Sequence, residues 1–542
     1  MKKNYDIVIA GSGMYGTILG TILSKNGLSV LIIEKGEHPR FTIGEALLPQ
    51  SAIWPFMIGE YFGVPEIAHL SHADRILDNI TPHCGIKHSI GFAWHQNGQT
   101  HQANHTHQLI PPHLPFYSES HLMREDVDQY LLDVAKKYGC DYVDNTNITD
   151  VNIYDTHVDV SANGDTIKCE YYVDSSGRNS ILVKKMEYRK GPDELETNSR
   201  SIFTHVTGLP PYDKIISKSP GQSKRLHDGT LHHAFPGGWF WVIPFDNYHR
   251  SGSKLASVGL QLDPRCFPKN DEMTAEEEFF SIAEQYPSVL AHLNDVVAVQ
   301  PWIRTDRLQY SSSRSVGNRH FISNNTYSFT DPLYSNGLIN TFESVFYASN
   351  LLLNAFSSTD SSRFHAKDFE PLDELHKEQV QLADFMVANA YKAMHSFDTW
   401  NAWTQMWLGQ VLFNDLWLQR ACFQYFSTGD KQRFLEFLKE PKPGMLAPFN
   451  GEKKEMFQSV ANALNKYRNG EMNENDAANV MLQSLQQQDW LPQHIYKWGH
   501  ADSRHVDFSK MELVGMLLDW GMKDSPEHIR EGLFDFELPP PS

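Results

Sequence analysis

Residues Tyr5–Lys35, YDIVIAGSGMYGTILGTILSKNGLSVLIIEK, constrain the fold more than any other stretch. A short apolar run meets a glycine turn, Gly11-Ser12-Gly13-Met14-Tyr15-Gly16, and then Ile18, Leu19, Ile22 and Leu23 recur at helical spacing. This predicts a helix from Met14 to Asn26, closed by Gly27, which tolerates a left-handed φ. Leu31, Ile32 and Ile33 follow as a buried strand of parallel type. A G-x-G-x-x-G between strand and helix lets the backbone approach a pyrophosphate closely, and the helix N-terminus favours its charge. Glu34, ending the second strand, can bind ribose hydroxyls. In this context the motif predicts a Rossmann-like α/β module that binds a dinucleotide, though not which one.

The other 500 or so residues are enough for a second core. Arg124–Cys140 reads as an amphipathic helix, residues 200–310 as an antiparallel sheet with many turns, and the chain beyond about 360 as mostly helical. A net charge of −19 with no basic run argues against nucleic acid as a partner and against anionic membrane surfaces. The N-terminal apolar run is too short and glycine-broken for a signal peptide or membrane span. Five cysteines without a C-x-x-C pair form neither a disulfide framework nor a zinc frame, so a cytoplasmic location is expected. His95, His101, His105, His107 and His113 have no recognised metal-ligand spacing and are expected to be solvated. Trp400, Trp403 and Trp407 share a helix face, which suits a helix core, or less commonly an aromatic cover over a substrate.

Residues 83–94, HCGIKHSIGFAW, carry one lysine. As one continuous strand, Ile86, His88, Ile90, Phe92 and Trp94 would share one face, and Lys87, Ser89, Gly91 and Ala93 the other. Lys87 would then stand over small residues. Two readings follow: an edge-strand lysine in solvent, which discourages aggregation, or a functional amine in a pocket.

Gly238–Pro244, GWFWVIP, puts Trp239, Trp241 and Ile243 on one strand face, with Phe240 and Val242 on the other. Alone, it reads as a packed aromatic strand ended by proline. Together with the glycine turn, the lysine in K-x(4)-F-x-W, HPRFTIGEALLP (His38–Pro49) and SVGLQLD (Ser257–Asp263), it resembles the flavin-dependent halogenases, in the branch acting on phenolic, tyrosine-derived substrates. YVDSSGRNS, FTDPLYSNGL and the R-x-x-x-D of Arg124 and Asp128 resemble the FAD monooxygenase fold.

The resemblance spans about residues 5–345. It implies an FAD-binding module over 1–355, interleaved with a substrate-facing β-sheet (about 80–120 and 200–305), and a helical region over 356–542 that covers the substrate side. FAD, supplied reduced by a separate flavin reductase, would with O2 and a halide (chloride or bromide) give hypohalous acid. Lys87 would hold that oxidant, by hydrogen bonding or as a haloamine, beside an electron-rich ring. The substrate would be an aromatic small molecule or one tethered to a carrier protein. Cofactor contacts fall on Gly11, Gly13, Gly16, Glu34, Gly44, Glu45, Ala46, Arg124, Ile148, Asp331, Pro332 and Gly337. The halide would meet Ser335, Asn336 and Gly337 at a helix start. Trp239 and Trp241 would separate flavin from substrate.

Two departures matter. Tryptophan halogenases carry a glutamate before the serine of the halide turn; here that residue is Tyr334, which disfavours indole and favours a phenol or pyrrole. The usual G-D-A before the D-P turn is replaced near Ser323-Asn324-Asn325. Other outcomes on this fold are an aromatic hydroxylase that has no need of Lys87, and a non-catalytic flavin-binding relative.

Overall fold

The computed structural model describes residues 2–112, 119–360, 362–438 and 453–535. His113 and the C-terminal proline tail lie outside them. The chain divides into two compact units. The first comprises Met1–His83, Leu122–Asn198 and Leu308–Phe385; the second comprises Cys84–His121, Ser199–Arg307 and Met386–Ser542.

The first unit is built on an eight-stranded sheet. Asn4–Ala10 lies at its centre, parallel to Val30–Ile33 on one side and to Asp165–Asp174 on the other, with Ile7 opposite Val30 and Tyr171. Asp141–Val143 and His320–Ile322 extend the parallel ladder. The helix Met14–Lys25 follows the glycine turn and is buried from Met14 to Leu23, as its apolar spacing requires. The core of this unit includes Val8, Leu31, Val160, Ile167 and Leu182.

The second unit holds a nine-stranded sheet. Its centre is antiparallel: Arg200–Thr207, Ala256–Leu262, Gly238–Pro244 and Thr230–Phe235 lie side by side. Ile90–Trp94 then pairs parallel to Thr230–Phe235 and antiparallel to Thr106–Ile110. Alternation along the tryptophan strand is as expected. Phe240 and Val242 enter a core with Ile202, Leu231, Leu260 and Phe279, while Trp239 and Trp241 rise on the opposite face. Trp400, Trp403 and Trp407 are fully buried on the helix Phe397–Thr428, and Trp400 and Trp407 meet the Phe92 ring edge-on.

Two expectations are corrected. Residues 83–94 do not form one strand. Gly85–Lys87 pairs with Glu119–His121 in a separate two-stranded sheet, and Ile90–Trp94 joins the large one. The backbone changes partners at His88-Ser89, where His88 N–H donates to the Asp228 carbonyl and the Ser89 carbonyl accepts from Thr230 N–H. Nor do Gly91 and Ala93 line an open floor: a Cβ at Gly91 would lie 2.9 Å from Leu226, and Ala93 sits in the core with Leu226 and Leu231.

The histidines are the second correction. His95 and His107 are buried, not solvated. His95 Nε2 lies 2.9 Å from His233 Nδ1, His233 Nε2 lies 3.0 Å from His292 Nδ1, and His292 Nε2 lies 3.0 Å from the Pro210 carbonyl. A carbonyl only accepts, so His292 carries its proton on Nε2. Its Nδ1 therefore accepts from His233 Nε2–H, and His233 Nδ1 accepts from His95 Nε2–H. One carbonyl thus fixes three neutral tautomers in a row. Burial, then neighbouring imidazoles, pushes His95 and His233 well below their ordinary proton affinity, and burial lowers His292 to about 3.

These histidines titrate in the unfolded chain near pH 6.5 and resist protonation when folded. Their stabilisation is therefore present above pH 6.5 and is lost as pH falls, because the unfolded state binds more protons. Well below pH 6.5 each contributes a slope of about 1.4 kcal/mol per pH unit. Calorimetry between pH 7.5 and 4.5 should show a steadily falling melting temperature; a flat profile would contradict neutral burial.

Candidate active site

In the first unit the glycine turn is held by the strand that returns beside it. Ser175 Oγ donates to the Ala10 carbonyl at 2.7 Å and to the Gly11 carbonyl at 3.1 Å. Glu34 is buried and accepts from Ser12 N–H at 2.9 Å, from Gly36 N–H at 3.1 Å and from Arg40 at 3.0 Å. Burial alone would raise its proton affinity, but these donors and the Arg40 charge outweigh it, so the carboxyl stays below its ordinary range. Gly11, Gly13, Glu34, Ile148 and Asp174 line one cavity, and the space where Gly13 lacks a side chain is clear for 4 Å. Backbone N–H groups at a helix start, a deprotonated acid for hydroxyls and an apolar wall suit the phosphate, ribose and adenine of a dinucleotide.

Arg124 makes a two-point ion pair with Asp128, both contacts 3.0 Å, and donates to the carbonyls of Ile43 and Gly44 at 2.8 and 3.0 Å. It therefore braces the Gly44–Ala46 segment, whose Glu45 carbonyl accepts from Leu122 N–H. Asp331 caps the next turn by accepting from Leu333 N–H at 2.9 Å. After Pro332, Tyr334 (φ 73°) and Ser335 (φ 54°) take successive left-handed conformations, and the helix Asn336–Ser357 starts. Two adjacent non-glycine residues in that region store strain, which functional turns tolerate. The N–H groups of Asn336 and Gly337 belong to the first helical turn, and nothing lies within 4 Å of a Cβ at Gly337. Where G-D-A is replaced, Ser323 caps a short helix by accepting from Thr326 N–H, and Asn324 and Asn325 donate to Thr341 Oγ1.

In the second unit Lys87 is 1% exposed. The solvent-facing reading is thereby excluded. Asn247 clamps the neighbouring Ile86 backbone, accepting from its N–H at 3.0 Å and donating to its carbonyl at 2.8 Å. His121 Nδ1 donates to the carbonyl of Pro244, the last residue of the tryptophan strand, at 2.7 Å. Its Nε2 accepts from Thr230 Oγ1 at 2.9 Å. Burial pulls the Lys87 amine down to about 8, and the attraction of Glu119 opposes that fall.

Trp239 and Trp241 stand 5.8 Å apart, ring centre to ring centre. Their indole N–H groups donate to Tyr391 Oη and Ser257 Oγ, each at 3.2 Å. Gly259, opposite Trp241, makes room for it: a Cβ there would lie 2.0 Å from the indole ring.

The sequence reading did not single out Glu119 and Asp415. Glu119 is the cross-strand partner of Lys87 and is 5% exposed; Asp415, on Phe397–Thr428, is 3% exposed. Burial raises Glu119 to about 8, with Lys87 opposing and Asp415 adding to the rise, and raises Asp415 to about 7. Asp415 has a local signal, a lone carboxylate in the apolar run VLFNDLWL. Glu119 has none, since only the strand pairing reveals it.

The tryptophan halogenase family model matches residues 92–459. The chain belongs to the tryptophan halogenase family. It is 34% identical to the monodechloroaminopyrrolnitrin halogenase PrnC of Pseudomonas fluorescens, over 99% of this chain and 94% of that one. It is 32% identical to the tetracycline 7-halogenase of Kitasatospora aureofaciens, over 98% and 95%. A crystal structure of the halogenase PltM with phloroglucinol and FAD superposes with a TM-score of 0.87 at 30% identity, covering 93% of this chain and 99% of that one. This halogenase is accordingly an FAD-dependent oxidoreductase with the FAD monooxygenase-like fold. The family model begins after Lys87, whereas the full-length similarities extend across it. Among the described residues, no helix is long and apolar enough to cross a membrane.

Gly16 offers a direct check on the cofactor cradle. A Cβ there would lie 2.1 Å from the Gly11 carbonyl oxygen. Gly16→Ala should weaken FAD binding by about tenfold or more, or about 1.4 kcal/mol, in a titration following flavin fluorescence. Unchanged affinity would remove the glycine turn from the binding site.

Proposed function

We propose that this enzyme halogenates an electron-rich phenolic ring through Lys87. The single observation that carries the reading is the burial of the Lys87 amine, 1% exposed and directly opposite Glu119. An amine of lowered proton affinity is partly neutral near pH 8 and therefore nucleophilic toward an electrophilic halogen, while its protonated form donates hydrogen bonds to hypohalous acid.

Gly11, Gly13, Gly16, Glu34 and Ile148 would hold FAD, with Gly44, Glu45, Ala46, Arg124, Asp331 and Pro332 along its border, and reduced FAD would supply hypohalous acid from O2 and halide. Ser335, Asn336 and Gly337 hold the halide, chloride or bromide, with backbone N–H groups at the helix start. Lys87 takes up the oxidant and positions its halogen for the ring. Trp239 and Trp241 keep the substrate from direct oxygenation at the flavin. The first structural unit has the cofactor role and the second the substrate role.

Tyr334, in place of the glutamate that the tryptophan halogenases carry, speaks against indole and for a phenol or pyrrole. The PltM complex holds phloroglucinol, a trihydroxybenzene, and another relative is named for tetracycline. A free small molecule fits these full-length relatives. Carrier-tethered pyrrole chlorinases and brominases are more distant, at 23% identity over about two thirds of this chain. A separate reductase supplies the reduced flavin, and the enzyme works in the cytoplasm.

With FAD, a flavin reductase, NADH, bromide and phloroglucinol, mass spectrometry should find a brominated ring. Lys87→Ala should lower product at least about a hundredfold, with flavin oxidation continuing. Oxygenated product that persists in Lys87→Ala would establish a hydroxylase instead.

A further inference from the structure

We propose that Glu119 is the acid–base partner of Lys87: it protonates the oxygen that leaves as the amine takes the halogen, and later accepts the proton that the ring gives up. This rests on the role given to Lys87 above.

The geometry has three parts. Glu119 and Lys87 are directly opposite in a two-stranded antiparallel sheet, so their side chains rise from the same face. Both are buried, yet among the described residues they form no ion pair, and Glu119 Oε2 has no hydrogen-bond partner. Asp415 adds a second buried carboxyl close enough to act on Glu119. Its Oδ2 accepts from Gln419 at 2.8 Å, and its Oδ1 has no partner among the described residues. A pair serving only stability is expected in contact with its hydrogen bonds satisfied, since burying charges apart costs several kcal/mol. Here one amine and two carboxyls share a buried site out of hydrogen-bond contact. Burial disfavours both charges, so the amine's proton affinity falls and the carboxyl's rises until the two meet near 8, where a neutral amine beside a protonated carboxyl is within easy reach. The other titratable groups facing the amine are His121, from the strand of Glu119, and His232, from Thr230–Phe235. Burial holds both neutral, at about 3, and His88 and His227 face His121 in turn.

The step balances. The Lys87 Nζ lone pair attacks the halogen of hypohalous acid, forming N–X, and the X–O pair stays on oxygen. That oxygen takes the Glu119 proton and leaves as water, so a haloammonium stands beside a carboxylate. A ring carbon then attacks the halogen, and the N–X pair returns to Nζ. The ring proton passes to Glu119, restoring amine and acid. The ring is oxidised as the halogen is reduced, and no further electron source is needed.

Two measurements test this. The bromination rate of phloroglucinol should be bell-shaped in pH, rising as Lys87 loses its proton and falling as Glu119 does. Glu119→Gln should lower the rate about a hundredfold and abolish the alkaline limb, while Glu119→Asp should retain the limb. In the flavin-free protein, the 15N NMR titration midpoint of Lys87 Nζ should move to lower pH in Glu119→Gln, because the carboxylate that favours the ammonium is gone. A Glu119→Gln rate within about threefold of native with an unchanged profile would overturn the proposal. So would a Lys87 midpoint that Glu119→Gln leaves in place. Absence of any brominated product from the native enzyme would instead contradict the reading of Lys87 itself.

Discussion

The burial of one amine opposite one carboxyl, Lys87 across from Glu119, is the constraint on which the rest of the second unit depends. A charged ammonium buried without a contacting partner costs several kcal/mol, and its proton affinity falls in response. Keeping it there requires a backbone that cannot slip. A one-residue shift in register would turn Lys87 to the other face of its sheet. Asn247 prevents it by gripping both polar atoms of the Ile86 backbone. His121, from the partner strand, ties the same small sheet to the Pro244 carbonyl.

The same strand that ends at Pro244 presents Trp239 and Trp241, so the lysine sheet and the tryptophan pair are set by one piece of backbone. On its other face Phe240 and Val242 anchor it in the core. Gly259 leaves space for the Trp241 indole. The histidine row from His95 to His292 stiffens the neighbouring part of this sheet with bonds whose direction one carbonyl determines. Neutral imidazoles there also avoid adding buried charge.

Much of the first unit is legible in the sequence, because its signals are local. Gly11, Gly13, Gly16 and Glu34 lie within one strand–turn–helix–strand run, and the periodicity of Ile18 to Leu23 marks the helix. The second unit hides more. The break at His88-Ser89 depends on Asp228 and Thr230, far along the chain, and alternation alone could not show that Gly91 and Ala93 face a filled core. The histidines look solvated beside glutamine and asparagine, and only their mutual hydrogen bonds explain their burial. Glu119 becomes significant through the strand opposite it. The tryptophan pattern was readable because a strand with a packed face declares itself by alternation.

The central claim is that Lys87 is a buried amine of lowered proton affinity. Its most direct test is the titration midpoint of the Lys87 Nζ in the flavin-free protein, assigned by its loss in Lys87→Arg and followed by 15N NMR. The account predicts a midpoint near 8, as burial outweighs the pull of Glu119. A midpoint near the ordinary lysine value of about 10.4 would contradict it.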